Sequence, residues 1–395
     1  MRPLSNLLFT PVAIALAGVL AAPISAAAAR TSGQPHWIRV TATGLGNTAD
    51  IGLARGRDGV LHVLWTAGSS GKVRVLDTQV TASGKVGKTL VLASHLWAAT
   101  NPDAVATSAG LDAFWNGQRT TSITKGIGTW RATRPLRGGT WHLAGITAAV
   151  DNLWNSSVGA APGMAGQPWV AFGYSAGFAI LHYGSPERGL PAPACCFFNE
   201  GIGTDARTGT AWLTYFSGTS GHVGTFDQKL TAAGARLGPA HRMPGSAAGG
   251  NSIPAAERVT ATGRPGKAGV YACYLSGFPR ARAVDVYRFG SAKAVTVARV
   301  SRGSGTIGST IAADHSGHLW AAWWGGKIGA PTLFVSRSNT SASAFGRAIR
   351  VPLPGGASAL YRAYISAQST RLDVVALLIV NGRIAYWTTQ VRAPR

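Results

Sequence analysis

Four acidic side chains recur at one point of a repeated pattern. Asp50 directly precedes Ile51, while Asp103, Glu200 and Glu257 each lie two residues before Val105, Ile202 and Val259. The chain has only 14 Asp and Glu against 37 Lys and Arg, so four acids at matched positions is a signal. Asn155, Tyr361 and Arg362 occupy the segments that lead into other copies of the pattern. Carboxylates set among amides, a cation and an aromatic ring suit a polar glycan, because rings stack on sugar faces while Asp, Asn and Arg bond hydroxyls. Two of the carboxylates at about 5 Å, or at 6.5–9.5 Å, would instead support retaining or inverting glycoside hydrolysis. Three acids with an Asn would hold Ca²⁺, the alternative to an expectation of no cofactor and no metal site. The remaining alternative is structural, with the acids bonding backbone N–H groups of turns or pairing with neighbouring arginines. Binding, hydrolysis and structure all stay open at this point.

Other chemistry finds less footing. Nine histidines are scattered, and Cys195, Cys196 and Cys273 show no zinc spacing. A bridge from Cys195 or Cys196 to Cys273, a vicinal Cys195–Cys196 bond and free thiols are all open. No glycine-rich stretch opens a helix and no nucleophile elbow is present, which excludes phosphate-loop and α/β-hydrolase chemistry. His315 and His318 straddle a turn at the far end of their strands from the acids and read as surface residues.

The elements that must position the acids are strands. The clearest copy of the pattern, Ile311 to Trp323, reads as a strand of small residues, a turn with Gly317, and an alternating strand ending on an aromatic. Its opening, a β-branched residue followed by small ones, recurs at Ile51, Val105, Val158, Ile202, Val259, Ile311 and Ile365. Ile51 to Ile365 is 314 residues over six intervals, a period of about 52. Two further strand-like segments follow in each copy, so the expected fold is all-β: a seven-bladed β-propeller of four-stranded blades. The last copy lacks a fourth strand. Ile38-Arg39-Val40 matches Ile349-Arg350-Val351, the fourth strand of the copy before it. The N-terminal strand should therefore complete the last blade and leave no open edge. Trp65, Trp115, Trp323 and Trp387 should pack between blades. The seven candidate residues should converge on one mouth of the central channel.

From Trp37 to Val391 the chain resembles the sialidase-like, BNR-repeat β-propellers. Asp58-Gly59 and Asp314-His315-Ser316-Gly317 look like worn forms of that superfamily's Asp-box turn. The resemblance implies a propeller, and a sialidase-like glycoside hydrolase as the alternative to a binding protein. A scaffold for protein partners is the third reading.

Composition and the N-terminus set the context. Arg2, the apolar run Leu7 to Ala22 and the small residues Ser25 to Ala29 form a secretory signal over residues 1–29, followed by a single domain over 30–395. No later stretch is long and apolar enough to span a membrane. A net charge of +23 favours anionic partners such as cell-wall polymers or acidic glycans. No basic helix, RNA-binding signature or zinc spacing points to nucleic acid. The expected product is a secreted monomer. Expressed in a secreting host, the chain should appear in the medium with its N-terminus close to Arg30, read by intact-mass measurement. Retention of residues 1–29 on the exported chain would contradict the assignment.

Overall fold

The computed structural model describes residues 36–41, 50–121, 127–136, 138–149, 158–174, 177–182, 188–191, 197–217, 221–246, 260–277, 281–300 and 307–392. The chain divides into two units, Met1–Gln34 and Pro35–Arg395, and every described strand belongs to the second. Those strands form seven four-stranded antiparallel sheets. Six are meanders in chain order: sheet 1 (Gly52–Leu96), sheet 2 (Ala98–Ala149), sheet 3 (Val158–Pro191), sheet 4 (Phe197–Arg242), sheet 5 (Ala261–Arg299) and sheet 6 (Gly308–Arg350). Sheet 7 takes three strands from Ala357–Arg392 and its fourth, Ile38–Arg39, from the other end of the chain. In that pairing Ile38 opposes Thr388 and Arg39 opposes Trp387.

Alternating strands bury both faces, and the buried residues sort by interface. Seven hydrophobic clusters are present, one between each pair of neighbouring sheets. Leu64 with Trp115 joins sheets 1 and 2, Phe114 with Val170 joins sheets 2 and 3, and Trp169 with Leu213 joins sheets 3 and 4. Met243 with Tyr274, Val284 with Leu319, and Trp324 with Leu378 continue the series. Leu61 with Val375 joins sheet 7 back to sheet 1. The first strand of each sheet also touches the first strand of the next, and that of sheet 7 touches that of sheet 1. The arrangement is an all-β propeller with its first strands innermost. Trp65, Trp115 and Trp323 are buried between sheets, and Trp387 packs against the cluster of sheets 6 and 7.

The small residue after each branched one now has a cause. A Cβ on Gly52 would stand 2.6 Å from the backbone carbon of Asp103, in the inner strand of the next sheet. Inner strands crowd near the axis, so at Gly52 only a residue without a side chain fits, while Ala106, Thr260, Ala312 and Ser366 keep the equivalent positions of other copies small.

The fourth strand of sheet 7 is anchored by its flanks. Trp37 is buried and its indole N–H donates to the Pro352 carbonyl at 2.7 Å; Val40 packs between sheets 7 and 1. Trp37→Ala should cost about 3–5 kcal/mol, since it removes a large buried side chain and orphans a carbonyl. Chemical denaturation would measure it, and a midpoint equal to that of the parent would show that the strand does not close the sheet.

Candidate functional site

Inner strands of all seven sheets line a cavity of about 1050 Å³. It runs from Asp103 and Tyr364 inside the ring to Arg57, Ser108, Met164 and His315, in the turns between first and second strands. That is the mouth opposite the one to which the lead-in segments return. His315 and Arg57 are exposed there. His315, read from sequence as plain surface, is thus at the rim of the cavity, and Arg57 had no sequence signal beyond its turn.

The seven sequence-predicted residues do not share one environment. Asp50 is buried at 3% exposure between sheets 1 and 7. Its Oδ1 accepts the Tyr364 hydroxyl at 2.6 Å and pairs with the Arg362 guanidinium. Its backbone N–H points at Asn101 Oδ1, 3.4 Å away. Asp103 does line the cavity, but Oδ1 accepts the Ala104 N–H at 2.9 Å and Oδ2 the Ala160 N–H of sheet 3 at 2.7 Å. Tyr361 is 45% exposed, while its carbonyl accepts the Trp324 indole N–H at 3.0 Å. Glu200 lies in the strand Phe197–Thr204, with its side chain outside the described residues. Asn155 and Glu257 also lie outside them.

Three of these lead-ins break register at the same stage of the repeat. The pairing slips between Thr100 and Asp103, between Phe198 and Gly201, and between Leu360 and Arg362. Such bulges turn a side chain out of the pleat. In sheet 7 the residue at the slip is Tyr361, which accounts for an exposed ring on an inner strand.

Every described carboxylate accepts a hydrogen bond, six of the ten from the neighbouring sheet. Besides Asp50 and Asp103, Asp77 takes the Trp141 indole N–H at 2.8 Å, and Asp373 takes Arg55 at 2.5 Å. Asp205 takes the Gly269 N–H at 2.5 Å, and Asp227 the Gly290 N–H at 3.2 Å. Asp58, Asp112, Asp285 and Asp314 bond within their own sheets. Asp314 also closes its turn through the N–H groups of Ser316 and His318, and Asp205 does the same with Arg207 and Thr208. Asp205 was missed as a turn acid because its turn is one residue longer before the glycine. Burial pushes the Asp112 carboxyl up despite Arg131. Among the described residues no group of three His, Cys, Asp or Glu could hold a metal ion. Cys273 is a free buried thiol whose pKa burial pushes up to about 12, and Cys195 and Cys196 lie outside the described residues.

A propeller with a cavity lined by its inner strands is the class that fold and site define. No known family model matches the chain, and no curated protein matches it. Solved structures do. It is similar to the virginiamycin B lyase from Staphylococcus aureus, with a TM-score of 0.52 and 10% identity over 91% of this chain and 99% of that one. It is also similar to an ulvan lyase of a polysaccharide lyase family, bound to -[GlcA(1-4)Rha3S]-, with a TM-score of 0.55 and 9% identity over 89% of this chain and 95% of that one. At such identities the likeness shows the fold.

Asp205 offers a pH test of the carboxylate bonds. Burial pushes its carboxyl up, but the N–H donors of Gly269, Arg207 and Thr208 together outweigh that and hold it below its ordinary value. A depressed carboxyl stabilises the fold above its unfolded pKa of about 3.9, and the contribution is lost as pH falls through the folded value. Asp205→Asn should therefore lower the melting temperature at pH 7 by several degrees, with the gap to the parent closing below about pH 4. A gap that persists unchanged to pH 2 would exclude the carboxylate as its source.

Proposed function

We propose that this chain is an exported, monomeric, seven-bladed β-propeller that binds a carbohydrate or an anionic cell-surface polymer at the mouth of its channel. The observation that carries the reading is the cavity itself. It is large enough for several sugar rings and is lined by hydroxyl side chains such as Ser108 and Ser366, with Arg57 and His315 at the rim. Hydroxyls and small residues match a hydrated ligand, and the rim cations match its acid groups. The ulvan lyase lends support in kind, as a propeller of similar chain path solved with -[GlcA(1-4)Rha3S]- bound.

The same cavity favours binding over glycoside hydrolysis. Hydrolysis of the sialidase-like or paired-carboxylate kind needs acids that face the sugar. Among the described residues Asp103 is the one carboxylate lining the cavity, and both its oxygens already accept backbone N–H groups. Titration calorimetry against acidic and neutral oligosaccharides tests the proposal. Arg57→Ala should weaken an acidic ligand by about tenfold, the worth of one charge-assisted contact, and leave a neutral one nearly unchanged. Ser366→Phe should block both by filling the channel. Ligand binding indifferent to both substitutions would remove the channel as the site, and new reducing ends in the digest would restore the hydrolase reading.

A further inference from the structure

The ring has a second face, on which the hairpins between second and third strands end, and it differs from the channel rim just described. Five of its seven hairpins carry an exposed Lys or Arg: Lys72, Arg119, Arg282, Lys327 and Arg383. No described carboxylate is exposed beside them. Asp58 is the one exposed acid among the described residues, and it sits in a turn of the opposite face. The same face presents apolar side chains without cover. Ile328, at the tip of the sheet 6 hairpin, is 94% exposed; Tyr361 is 45%, Ile307 42% and Trp97 37% exposed. Ile307 and Tyr361 flank one residue, since the Ile307 N–H donates to the Trp324 carbonyl and the Trp324 indole to the Tyr361 carbonyl. The tip beside Ile328 is fixed to sheet 7 through the Gly329 N–H and the Ser358 carbonyl, 2.7 Å apart.

We propose that this hairpin face docks on an anionic lipid surface, with Ile328 entering the boundary between headgroups and acyl chains. Charge complementarity supplies the long-range part, because a crown of cations with no exposed acid beside it among the described residues is drawn to anionic headgroups. Burial of the tip supplies the short-range part. Trp97 and Tyr361 have the amphipathic rings that settle at headgroup level. Lys327 beside Ile328 can lay its stem along the apolar tip and keep its ammonium among the phosphates. Geometry permits simultaneous contact: Ser70, Thr120, Ile328 and Asn381 each fall nine residues after a leucine that is the first or second residue of its strand, Leu61, Leu111, Leu319 and Leu372. At about 3.3 Å per residue the tips stand at matched heights. A hydrated polyanion would account for the cations and the rings. It gives an isoleucine at a hairpin tip nothing to bond, and that residue decides for the lipid. The channel reading and this one use opposite faces and stand or fall separately.

Vesicle cosedimentation of the secreted chain tests the proposal, with its N-terminus verified by mass. Vesicles of phosphatidylcholine with about a third phosphatidylglycerol should bind it, pure phosphatidylcholine should not, and binding should fall with salt as the Debye length shrinks. Ile328→Glu should lower partitioning at least tenfold with an unchanged melting temperature. Lys327→Ala and Arg383→Ala should each lower it about fivefold. Leu237→Glu, an equally apolar exposed position in an outer turn of the opposite face, should have no effect. If Ile328→Glu binds as the parent does while the charge variants fail, and dextran sulfate displaces the chain, the face is a polyanion site and the lipid proposal is overturned. Absence of binding to the anionic vesicles overturns it as well.

Discussion

A buried carboxylate that reaches across a seam to the next sheet is the interaction on which this ring depends. Neighbouring sheets of a propeller share no ladder hydrogen bonds, so apolar contact between them is strong but slides. A carboxylate removed from water must find donors with definite geometry or forfeit its hydration. Asp103 finds one on Ala160, Asp205 on Gly269, Asp227 on Gly290 and Asp77 on Trp141. Asp50 and Asp373 do the same at the seam between sheets 7 and 1, where Arg362 and Arg55 supply the donors. Where no described acid serves, other groups do: the Thr204 hydroxyl to Pro162 between sheets 4 and 3, and the Arg264 guanidinium to Gly317 between sheets 5 and 6. Apolar clusters hold the sheets together, and these bonds fix the height of each against the next.

That division of labour explains the charge balance. With 14 acids against 37 Lys and Arg, the chain places most of its described acids inside and its cations outside. A basic exterior is then what remains once the acids have been spent on the seams. It also gives the two ends of the ring different characters: a hydroxyl-edged opening at one, and cations with uncovered apolar tips at the other.

The architecture was legible because it is written as a period. Six of the seven branched residues from Ile51 to Ile365 lie in or directly beside an inner strand, Val259 lies outside the described residues, and Ile38-Arg39 pairs where its match to Ile349-Arg350 said it would. Asp50 and Asp103 part company for a reason the period conceals. Asp50 stands one residue before its marker and Asp103 two before, and in a strand one residue is the difference between opposite faces. So Asp50 turns into the seam with sheet 7 while Asp103 turns to the channel. The slip at Thr100–Asp103 compounds this, since a bulge changes which way its neighbours point and leaves no mark in composition. Repetition fixes the height of a residue on the ring but not its direction. Arg57 and His315 were invisible for the complementary reason, lying in turns that look alike in every copy.

The sheet that holds both ends of the chain has a consequence in time. Ile38 meets Thr388, 350 positions further on, so this sheet is finished only after nearly the whole chain is available. Until then Ile38–Arg39 has no partner, and Asp50, in the seam between sheets 7 and 1, lacks its donors Arg362 and Tyr364. Closing so long a loop is slow, because the contacts that reward it come last. The six meanders in between can form as local hairpins while the chain is still emerging. Assembly is thus ordered by the position of a two-residue strand, and the nascent chain stays an open arc until its final segment arrives.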